Sequence, residues 1–554
     1  MDQLSALLGR HVQFTYTAWD RIVLCGYLER LQRPENIVYF FRQVVGVPSV
    51  TPEVLASRTA PYRAWMAAYA AREGIPLLAA PKGERKEDVV APFYRRLAQR
   101  ERRASEGVAC ILCGLETSRT FVSYPPRYPP PADDPGYRAI RSARKRFLHY
   151  YCYVVDPVLG PMSLRIATYL PFSVTCYLNG HSFIAQELRR AGVAFTQDDN
   201  AIIAVADVAA LQAAADRLTP ALLEQRCTVW TARLAPRFSP EERAALGGLR
   251  YRYSVAQIEL ATDVLFRRTA PLKALFGRAA ELGILLGGAD HTAHLFGRRV
   301  TRRHQGQLQT VLDRRQEGHP VLRSYYHTSF VKQYEKGDRL LRTETVVNDT
   351  RHLGVGRRLE HLPELRERMA ATNARYLDVQ AELLASTVDT GELAALARPV
   401  ATGRRRVPGL KLEDDRVIRL LEALLHPGTF VADWTTREVH AALRARHRLP
   451  PDDYRLSQLR YDLGKLRAHG LVERLGTSRR YRLTARGLKL GVLLVKLRTR
   501  LLGPLVSLAT APTAPTAATP RQTRRQTSPI EAAFRQVDAA LDHLCETLGL
   551  KPAA

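Results

Sequence analysis

The chain has 554 residues, of which 46% are hydrophobic and 25% charged, a composition that excludes a disordered protein and leaves room for several domains. Its 83 Lys and Arg outnumber 54 Asp and Glu, which gives a formal net charge of +29. Because so large a basic excess favours polyanions, we expect nucleic acid or another anionic surface as the partner.

Cysteine use and hydropathy exclude two other classes. Seven scattered cysteines, an odd number, argue against a disulfide framework. Cys110 and Cys113 form a lone C-x-x-C pair inside an apolar run, without a second pair at zinc spacing, so we expect buried strand residues. The N-terminus lacks a signal-peptide pattern, and no window offers 18 uncharged apolar residues. We therefore expect a cytoplasmic, nucleoid-associated protein with no membrane partner.

In chain order, residues 1–125 alternate strand and helix patterns, which predicts an α/β N-terminal domain. Consecutive prolines between residues 124 and 131 predict a linker, because they continue neither helix nor sheet. Residues 138–238 carry dense β patterns, a helix and a further strand, and predict a β-rich α+β domain.

Residues 239–400 predict a mixed α+β region with a long helix. Within it, Tyr253–Phe266 has helical spacing, with Glu259 and Asp263 on the predicted helix. Val321–Phe330 and Arg339–Val347 predict paired strands around a short turn.

Asp156 is the first candidate catalytic residue. It ends a predicted strand and is followed by two strands and a helix, an order that resembles the start of an RNase H-like nuclease. In such nucleases carboxylates hold two Mg²⁺ ions, and the resemblance implies Asp198, Asp199 and Glu344 as partners. The alternative is an Asp-Pro turn at a strand end, a common structure.

The predicted hairpin Phe330–Glu344 is the second candidate. Its Tyr and Lys on one strand, with Arg and Glu on the next, resemble the pattern of rolling-circle replication initiators and phage nickases. That resemblance implies Tyr334 or Tyr326 as nucleophile and Glu344 as metal ligand. The sequence lacks the His-hydrophobe-His pair of those metal sites, and the alternative is a hairpin with cross-strand charge pairs.

Other cofactor motifs are weak or missing. Asp290–His294 holds two histidines three apart without a third ligand in view, which favours a polar turn over a metal site. The sequence has no Walker-type loop and no G-x-G-x-x-G after a strand, so ATP and dinucleotides are not supported. We expect no cofactor, with Mg²⁺ entering only if the chain is a nuclease.

Residues 411–503 carry the strongest pattern. Thr435 and Glu438 form a capping box that opens a helix, and a second predicted helix, Gln458–His469, has leucines at spacings of four and three. Gly470 occupies the position of a left-handed helix cap, and two short strands then flank the basic turn Gly476–Arg480.

This order of helix, turn, helix and basic hairpin resembles a winged-helix DNA-binding domain. The resemblance implies that Arg455–Arg467 enters the major groove and that the hairpin tip reaches a phosphate or the minor groove. The implied DNA-binding residues are Arg455, Arg460, Lys465, Arg467, Arg479 and Arg480. The alternatives are a winged helix used for protein contacts or for RNA. The predicted fold class is thus a multidomain α+β protein, with mixed α/β N-terminal domains followed by a C-terminal winged helix.

The middle of the chain is also similar to a widespread group of bacterial proteins of comparable length that end in a winged helix. The phrases that carry this similarity are KRFLHYYCYVVDPVLGPMSLRIATYLPFSVTCYLNGHSFIAQELRRAGVAF, RYSVAQIELATDVLFRR and SFVKQYEKGDRLLRTETVVND. The similarity implies an architecture and no catalytic residue.

After the basic domain, residues 511–527 are rich in Pro, Thr and Ala and predict a flexible linker. Residues 528–550 then predict an amphipathic helix with an apolar seam from Ile530 to Leu548. The seam either pairs with a second copy, giving a homodimer, or folds back on its own chain.

The sequence as a whole favours a DNA-binding protein of a mobile element or replicon that holds duplex DNA. One alternative is a non-enzymatic transcriptional regulator whose N-terminal region senses a ligand or assembles subunits. Others are a metal-dependent nuclease, transposase or rolling-circle-like initiator, and an RNA-binding protein.

Overall fold

In the computed structural model, eleven strands pair into one mixed sheet. The structure describes residues 9, 11–81, 86–100, 107–126, 134–277, 309–314, 320–384, 390–402, 405–411, 414–425, 433–450 and 453–498. The sheet makes the chain an α+β protein, as the sequence predicts.

The strands ahead of residue 350 are β1 Val12–Leu28, β2 Leu77–Ala79, β3 Gly107–Tyr124, β4 Ala139–Asp156, β5 Gly160–Ala167, β6 Val174–Leu178, β7 Phe195–Asp198, β8 Ala201–Val205, β9 Tyr251–Phe266, β10 Gln309–Arg314, β11 Pro320–Tyr326, β12 Ser329–Lys336 and β13 Leu340–Val347. The large sheet has the order β10-β11-β12-β13-β9-β1-β6-β5-β4-β3-β2. Its neighbours are antiparallel except β2 and β3, which are parallel. β7 and β8 form a separate hairpin.

The helices over the same part of the chain are α1 Pro34–Tyr39, α2 Pro52–Ala56, α3 Thr59–Arg72, α4 Lys86–Arg100, α5 Gly180–Arg190, α6 Val208–Asp216, α7 Pro220–Leu234, α8 Pro240–Ala245, α9 Leu362–Leu384 and α10 Thr390–Ala397. A short hairpin, β14 Val400–Thr402 with β15 Arg405–Val407, follows α10.

All three predicted regions ahead of residue 400 contribute strands to this sheet. β1 from the first region pairs with β6 from the second on one side and with β9 from the third on the other. The proline-rich segment predicted as a linker joins β3 to β4, which are paired from Tyr124–Ala139 to Gly107–Val155. The boundaries predicted near residues 125 and 238 therefore fall between strands of one sheet.

The helix predicted at Tyr253–Phe266 is wrong, because this segment is strand β9. Every residue from Ile258 to Phe266 is buried, since β9 lies inside the sheet with both faces covered. A strand buried on both faces loses the alternation of apolar and polar residues by which strands are recognised. Glu259 and Asp263, four residues apart, then imitate one face of a helix.

Different elements cover the two faces of the sheet around β9. On one face α9 packs on β9 and β13, where Asn373 donates to the Leu260 carbonyl (3.0 Å) and accepts from Thr345 (2.7 Å). At the other face Tyr16 meets the His181 ring of α5 edge-on and accepts a hydrogen bond from the Ile202 amide of β8 (3.1 Å). This second face carries the charged cluster described below.

Asp156 fastens α7 to the turn between β4 and β5. Its carboxylate accepts the Val158 and Leu159 amides, both at 2.8 Å, and is fully buried. Arg226 and Trp230 of α7 donate to the same carboxylate at 2.9 and 2.7 Å. The carboxylate thus joins a strand end to a helix.

After residue 410 the elements are α11 Asp415–Leu424, β16 Trp434–Thr435, α12 Thr436–His447, α13 Leu456–Ala468, β17 Val472–Arg474, β18 Arg480–Leu483 and α14 Ala485–Leu497. The three strands form a small antiparallel sheet in the order β16-β18-β17, to which β16 adds a strand that the sequence does not predict. α14 packs against α11 and against α9.

Two local predictions for this segment are confirmed and one is wrong. The Thr435–Glu438 capping box is formed at the start of α12, and Gly470 has a φ of 72°, in the left-handed region. α13 begins at Leu456, however, two residues before the predicted start at Gln458, and its N-cap is Arg455.

Among the described helices, none combines the length and apolar character needed to cross a bilayer. The Asp290–His294 segment, the predicted linker 511–527 and the amphipathic helix 528–550 lie outside the described residues.

Replacing Asp156 with Ala should lower the free energy of unfolding by about 3–5 kcal/mol, because Arg226 would be left as an unpaired charge close to the core. Chemical denaturation measures the change. The control is Asp415→Ala. The Asp415 side chain is 53% exposed, so the loss of its ion pairs should lower the free energy of unfolding by only about 0–1 kcal/mol. Equal losses in the two variants would contradict the structural role of Asp156.

Replacing Gly180 with Ala should also destabilise the fold, by about 1–3 kcal/mol or more, because a Cβ at this position would lie 2.1 Å from the Trp19 carbonyl oxygen. Gly464→Ala on α13 is the matched control. No atom lies within 4 Å of its added Cβ, so this variant should gain about 0.5–1 kcal/mol from helix propensity. A thermal melt in which Gly180→Ala matches wild type would refute the predicted clash.

Candidate functional site

Six charged side chains lie together on one buried face of the large sheet. They come from four adjacent strands, β1, β9, β12 and β13, and every one of the six residues is buried. The charged cluster consists of Asp20, Glu259, Asp263, Lys332, Arg342 and Glu344.

The strand register brings opposite charges face to face. Glu344 of β13 lies directly opposite Lys332 of β12, and Arg342 lies opposite Asp263 of β9. Cross-strand neighbours share a face of the sheet, so these pairs are side by side. Ala261 is opposite Glu344 on β9, and its small side chain leaves room between the larger charged groups.

Asp20 reaches the cluster through a β-bulge. Trp19 pairs with Leu260 and Arg21 pairs with Glu259, so Asp20 is an extra residue in β1. A bulge re-aims the side chain at the irregular position. Asp20 Oδ1 accepts a hydrogen bond from Asn200 (2.6 Å) and lies 3.4 Å from an Arg342 nitrogen.

Arg342 and Asp263 form the tightest pair of the cluster. The fully buried guanidinium donates two parallel hydrogen bonds to Asp263, both at 2.7 Å. A third nitrogen reaches the Asn200 side chain (3.0 Å). Bidentate geometry of this kind gives the strongest ion pairs.

Lys332 lies between two carboxylates. Its ammonium is 3.0 Å from Glu259 and in contact with Glu344. Tyr334 donates a hydrogen bond of 2.6 Å to the other oxygen of Glu344. One lysine and one tyrosine therefore engage the two glutamates.

Burial and neighbouring charges shift several pKa values here. Burial raises the pKa of Asp20, and Arg342 and Lys332 only partly oppose it. Burial would raise the pKa of Asp263 as well, but Arg342 outweighs it and holds that pKa below its usual value. For Lys332, burial lowers the pKa, but Glu344 and Glu259 outweigh it and the pKa is raised.

Three carboxylates of the cluster have the spacing of a metal site. One oxygen each from Asp20, Glu259 and Glu344 lies within 4.8 Å of the other two. Carboxylate oxygens are the ligands that Mg²⁺, Mn²⁺ and Ca²⁺ prefer in proteins.

The structure brings together two of the sequence-predicted catalytic candidates, Tyr334 and Glu344. As a nucleophile Tyr334 would need to lose its proton, yet burial and then the Glu344 carboxylate raise its pKa far above the usual value. Tyr326 lies elsewhere and donates to Glu438 of α12 (2.9 Å).

The third candidate, Asp156, is occupied by the amides and α7 side chains described above. Its suggested partners Asp198 and Asp199 are exposed at the β7–β8 turn, where Asp199 accepts from Lys336 (2.6 Å). The described contacts of Asp156 include no carboxylate, and they match the alternative of a turn at a strand end.

Of the six predicted DNA-binding residues, Arg455 directly precedes α13, three lie on α13, and Arg479 and Arg480 lie in the following hairpin. Arg455, Arg460 and Arg467 are exposed, as is Arg479 at the hairpin turn. Lys465 is half-buried, with its ammonium over the Tyr461 ring at 5.6 Å. Arg480 is half-buried too and donates to the Asp433 carbonyl.

The hairpin faces α9 across a cavity of about 640 Å³. Arg480 and Arg482 line it from the hairpin, and Arg368 and Arg375 from α9. Acidic side chains share the cavity, among them Glu364, which accepts from Arg368 at 2.7 Å. The cavity is therefore of mixed charge.

Sequence reasoning missed most of the charged cluster. Glu259 and Asp263 were expected on a helix, and Asp20 was not singled out. A carboxylate inside the aromatic and β-branched run from Tyr16 to Leu24 is the signal that would have found it, because strands seldom bury an Asp without a partner.

Comparison of the chain with protein families, with curated proteins and with solved structures finds no match in any of the three.

Proposed function

We propose that the chain binds duplex DNA through α13 and the β17–β18 hairpin, arranged as a winged helix, and that it is a DNA-binding protein of a mobile element or replicon. The observation that carries the proposal is the exposed face of α13. This face presents arginines and a tyrosine, and it has no acidic residue.

The exposed positions of α13 recur at helical spacing. Arg460, Tyr461, Gly464 and Arg467 are exposed together with Ser457, whereas the leucines between them are buried. Residues three and four apart lie on one side of a helix, so these side chains form a continuous stripe. Tyr461 is 55% exposed, which is high for an aromatic side chain.

The acidic residue of α13 points inward. Asp462 is buried, accepts a hydrogen bond from Tyr454 (2.8 Å) and pairs with Arg416 of α11 (3.0 Å). No carboxylate of this helix therefore weakens the attraction of its outer face for phosphates. A helix of this width fits the major groove of B-DNA.

The hairpin supports a smaller contact than the sequence implies. Arg474 folds over its own turn and donates to the carbonyls of Thr477 and Ser478, and Arg482 pairs with Glu473. Arg479 remains exposed at the turn. In this proposal Arg479 contacts the backbone of the DNA, and Arg480 orients the hairpin by holding Asp433.

The size of the chain supports a mobile element or replicon over a plain regulator, because the residues before 400 form a large sheet of their own. A regulator would use that part for sensing or assembly, and a nuclease, transposase or rolling-circle-like initiator would use it for chemistry. Strand nicking of supercoiled DNA in Mg²⁺ or Mn²⁺ separates these alternatives.

Replacing both Arg460 and Arg467 with Ala should weaken duplex binding and flatten its salt dependence. If both arginines contact phosphates, the negative slope of log K against log salt should become less steep by about 1.8. Fluorescence anisotropy with a labelled duplex between low and high salt measures both quantities.

The matched control is Arg72→Ala with Arg217→Ala, which removes two arginines that are 68% and 65% exposed far from α13 in sequence. Equal losses in both double variants would show that net charge alone holds the DNA and would remove α13 from the interface. Tighter binding of duplex RNA than of duplex DNA would favour the RNA alternative.

A chain that ends at Leu508 should keep its DNA affinity, because α13 and the hairpin precede that residue. If the predicted helix 528–550 pairs two copies, this truncation should also lower the molar mass measured by light scattering. An unchanged subunit count would exclude the homodimer through Ile530–Leu548.

A further inference from the structure

We propose that Asp20, Glu259 and Glu344 bind one divalent, oxygen-preferring metal ion of the Mg²⁺, Mn²⁺ or Ca²⁺ class at the charged cluster, in competition with Lys332. The inference does not depend on DNA binding, because it rests on a different part of the chain.

The ligand geometry is nearly preformed. The three carboxylate oxygens lie within 4.8 Å of one another. Metal–oxygen distances of about 2.0–2.6 Å place ligand oxygens on opposite sides of an ion about 4.0–5.2 Å apart. Small rotations of the Glu259 and Glu344 side chains would therefore bring all three carboxylates within bonding distance of one ion, without a movement of the strands.

The charges of the cluster do not balance. It holds four carboxylates but two buried cations, Lys332 and Arg342. Arg342 makes its two short hydrogen bonds to Asp263 and lies farther from Asp20 (3.4 Å) and Glu344 (3.9 Å). Lys332 pairs with Glu259 and Glu344, so two cations face four carboxylates. Arg21 lies nearby, 4.0 Å from Glu259, but its side chain is half-exposed. An exposed ion pair at this distance does little to neutralise the excess negative charge.

Excess negative charge is costly in a buried site, where water cannot solvate it. A divalent cation would supply the two missing positive charges. This charge count is what distinguishes the site from an ordinary buried ion pair.

His181 is an independent observation that points to a ligand. The side chain is fully buried, and neither ring nitrogen has a hydrogen-bond partner. Its Nε2 faces the cluster, 3.5 Å from Asp20 Oδ1. An ion held by Asp20 would give this nitrogen a partner, directly or through a bound water.

The site is narrow but not sealed. The side chains of Asp20, Glu259 and Lys332 are 12%, 8% and 10% exposed, whereas Glu344 is fully buried. A cation would enter past the first three and would reach Glu344 last. Lys332 can withdraw because its ammonium sits at the end of a flexible four-carbon chain.

The test is Mn²⁺ binding by the full chain after removal of metals with a chelator, without DNA. The electron paramagnetic resonance signal of aqueous Mn²⁺ disappears on binding and gives both stoichiometry and affinity. Wild type should bind one ion per chain. Glu259→Gln should bind at least tenfold more weakly, and the control Glu73→Gln, whose side chain is 40% exposed, should match wild type.

Lys332→Gln should have the opposite effect on Mn²⁺ affinity. Removing the competing ammonium should tighten Mn²⁺ binding about tenfold, and Mn²⁺ should raise the melting temperature of this variant more than that of wild type. This variant also decides the question if Glu259→Gln fails to fold. The reverse result, in which Mn²⁺ neither binds to nor stabilises Lys332→Gln, would overturn the proposal.

Two further outcomes also overturn it. One is a wild-type chain that leaves the aqueous Mn²⁺ signal unchanged. The other is Mn²⁺ bound equally well by wild type and by a folded Glu259→Gln, which would place the ion elsewhere. Either result would return the cluster to a purely structural set of ion pairs.

Discussion

The ion pair between Arg342 and Asp263 is the constraint around which the large sheet is built. Both side chains are fully or almost fully buried, so neither charge has access to bulk water. Removing one partner of such a pair usually costs about 3–5 kcal/mol, because the other charge is left desolvated. The register between β9 and β13 is thereby fixed, since a slip of one residue would move the two groups to opposite faces.

The same pair ties together parts of the chain that are far apart in sequence. Arg342 also reaches Asn200 in the β7–β8 turn and Asp20 in β1. Strand β1 in turn pairs with β6 and β9, which joins the two halves of the sheet. The charged cluster therefore lies where the three predicted regions ahead of residue 400 meet, and its disruption would destabilise the packing of all three.

The sequence predicted best where the structure is local. The capping box at Thr435 and Glu438, the left-handed Gly470 and the buried leucine face of α13 depend on residues close together in the chain. It failed where tertiary burial decides, as at β9, whose strand period is hidden because both faces are covered. The sheet topology could not be predicted for a related reason. No local sequence pattern indicates that β1 pairs with a strand more than 220 residues later.

For the candidate site the sequence indicated only the part that lies on one hairpin. Tyr334 and Glu344 lie on adjacent strands of a predicted hairpin, and they do form a hydrogen bond. Asp20 and Glu259 come from strands whose pairing is long-range, and Asp20 also depends on a bulge. Irregular positions of this kind leave no periodic signal, so only the presence of a carboxylate in an apolar strand marks them.

The link between the sheet and the basic helices restricts how DNA would approach. Tyr326 of β11 donates to Glu438, whose carboxylate also accepts the Thr435 amide at the start of α12. One glutamate thus caps α12 and anchors it to the sheet, and α12 packs against α13. Because Arg480 lines the cavity beside α9, the hairpin is turned toward the body of the protein. Arg480 is thus held against the body of the protein, which leaves Arg479 and the exposed arginines of α13 for the proposed contact with DNA.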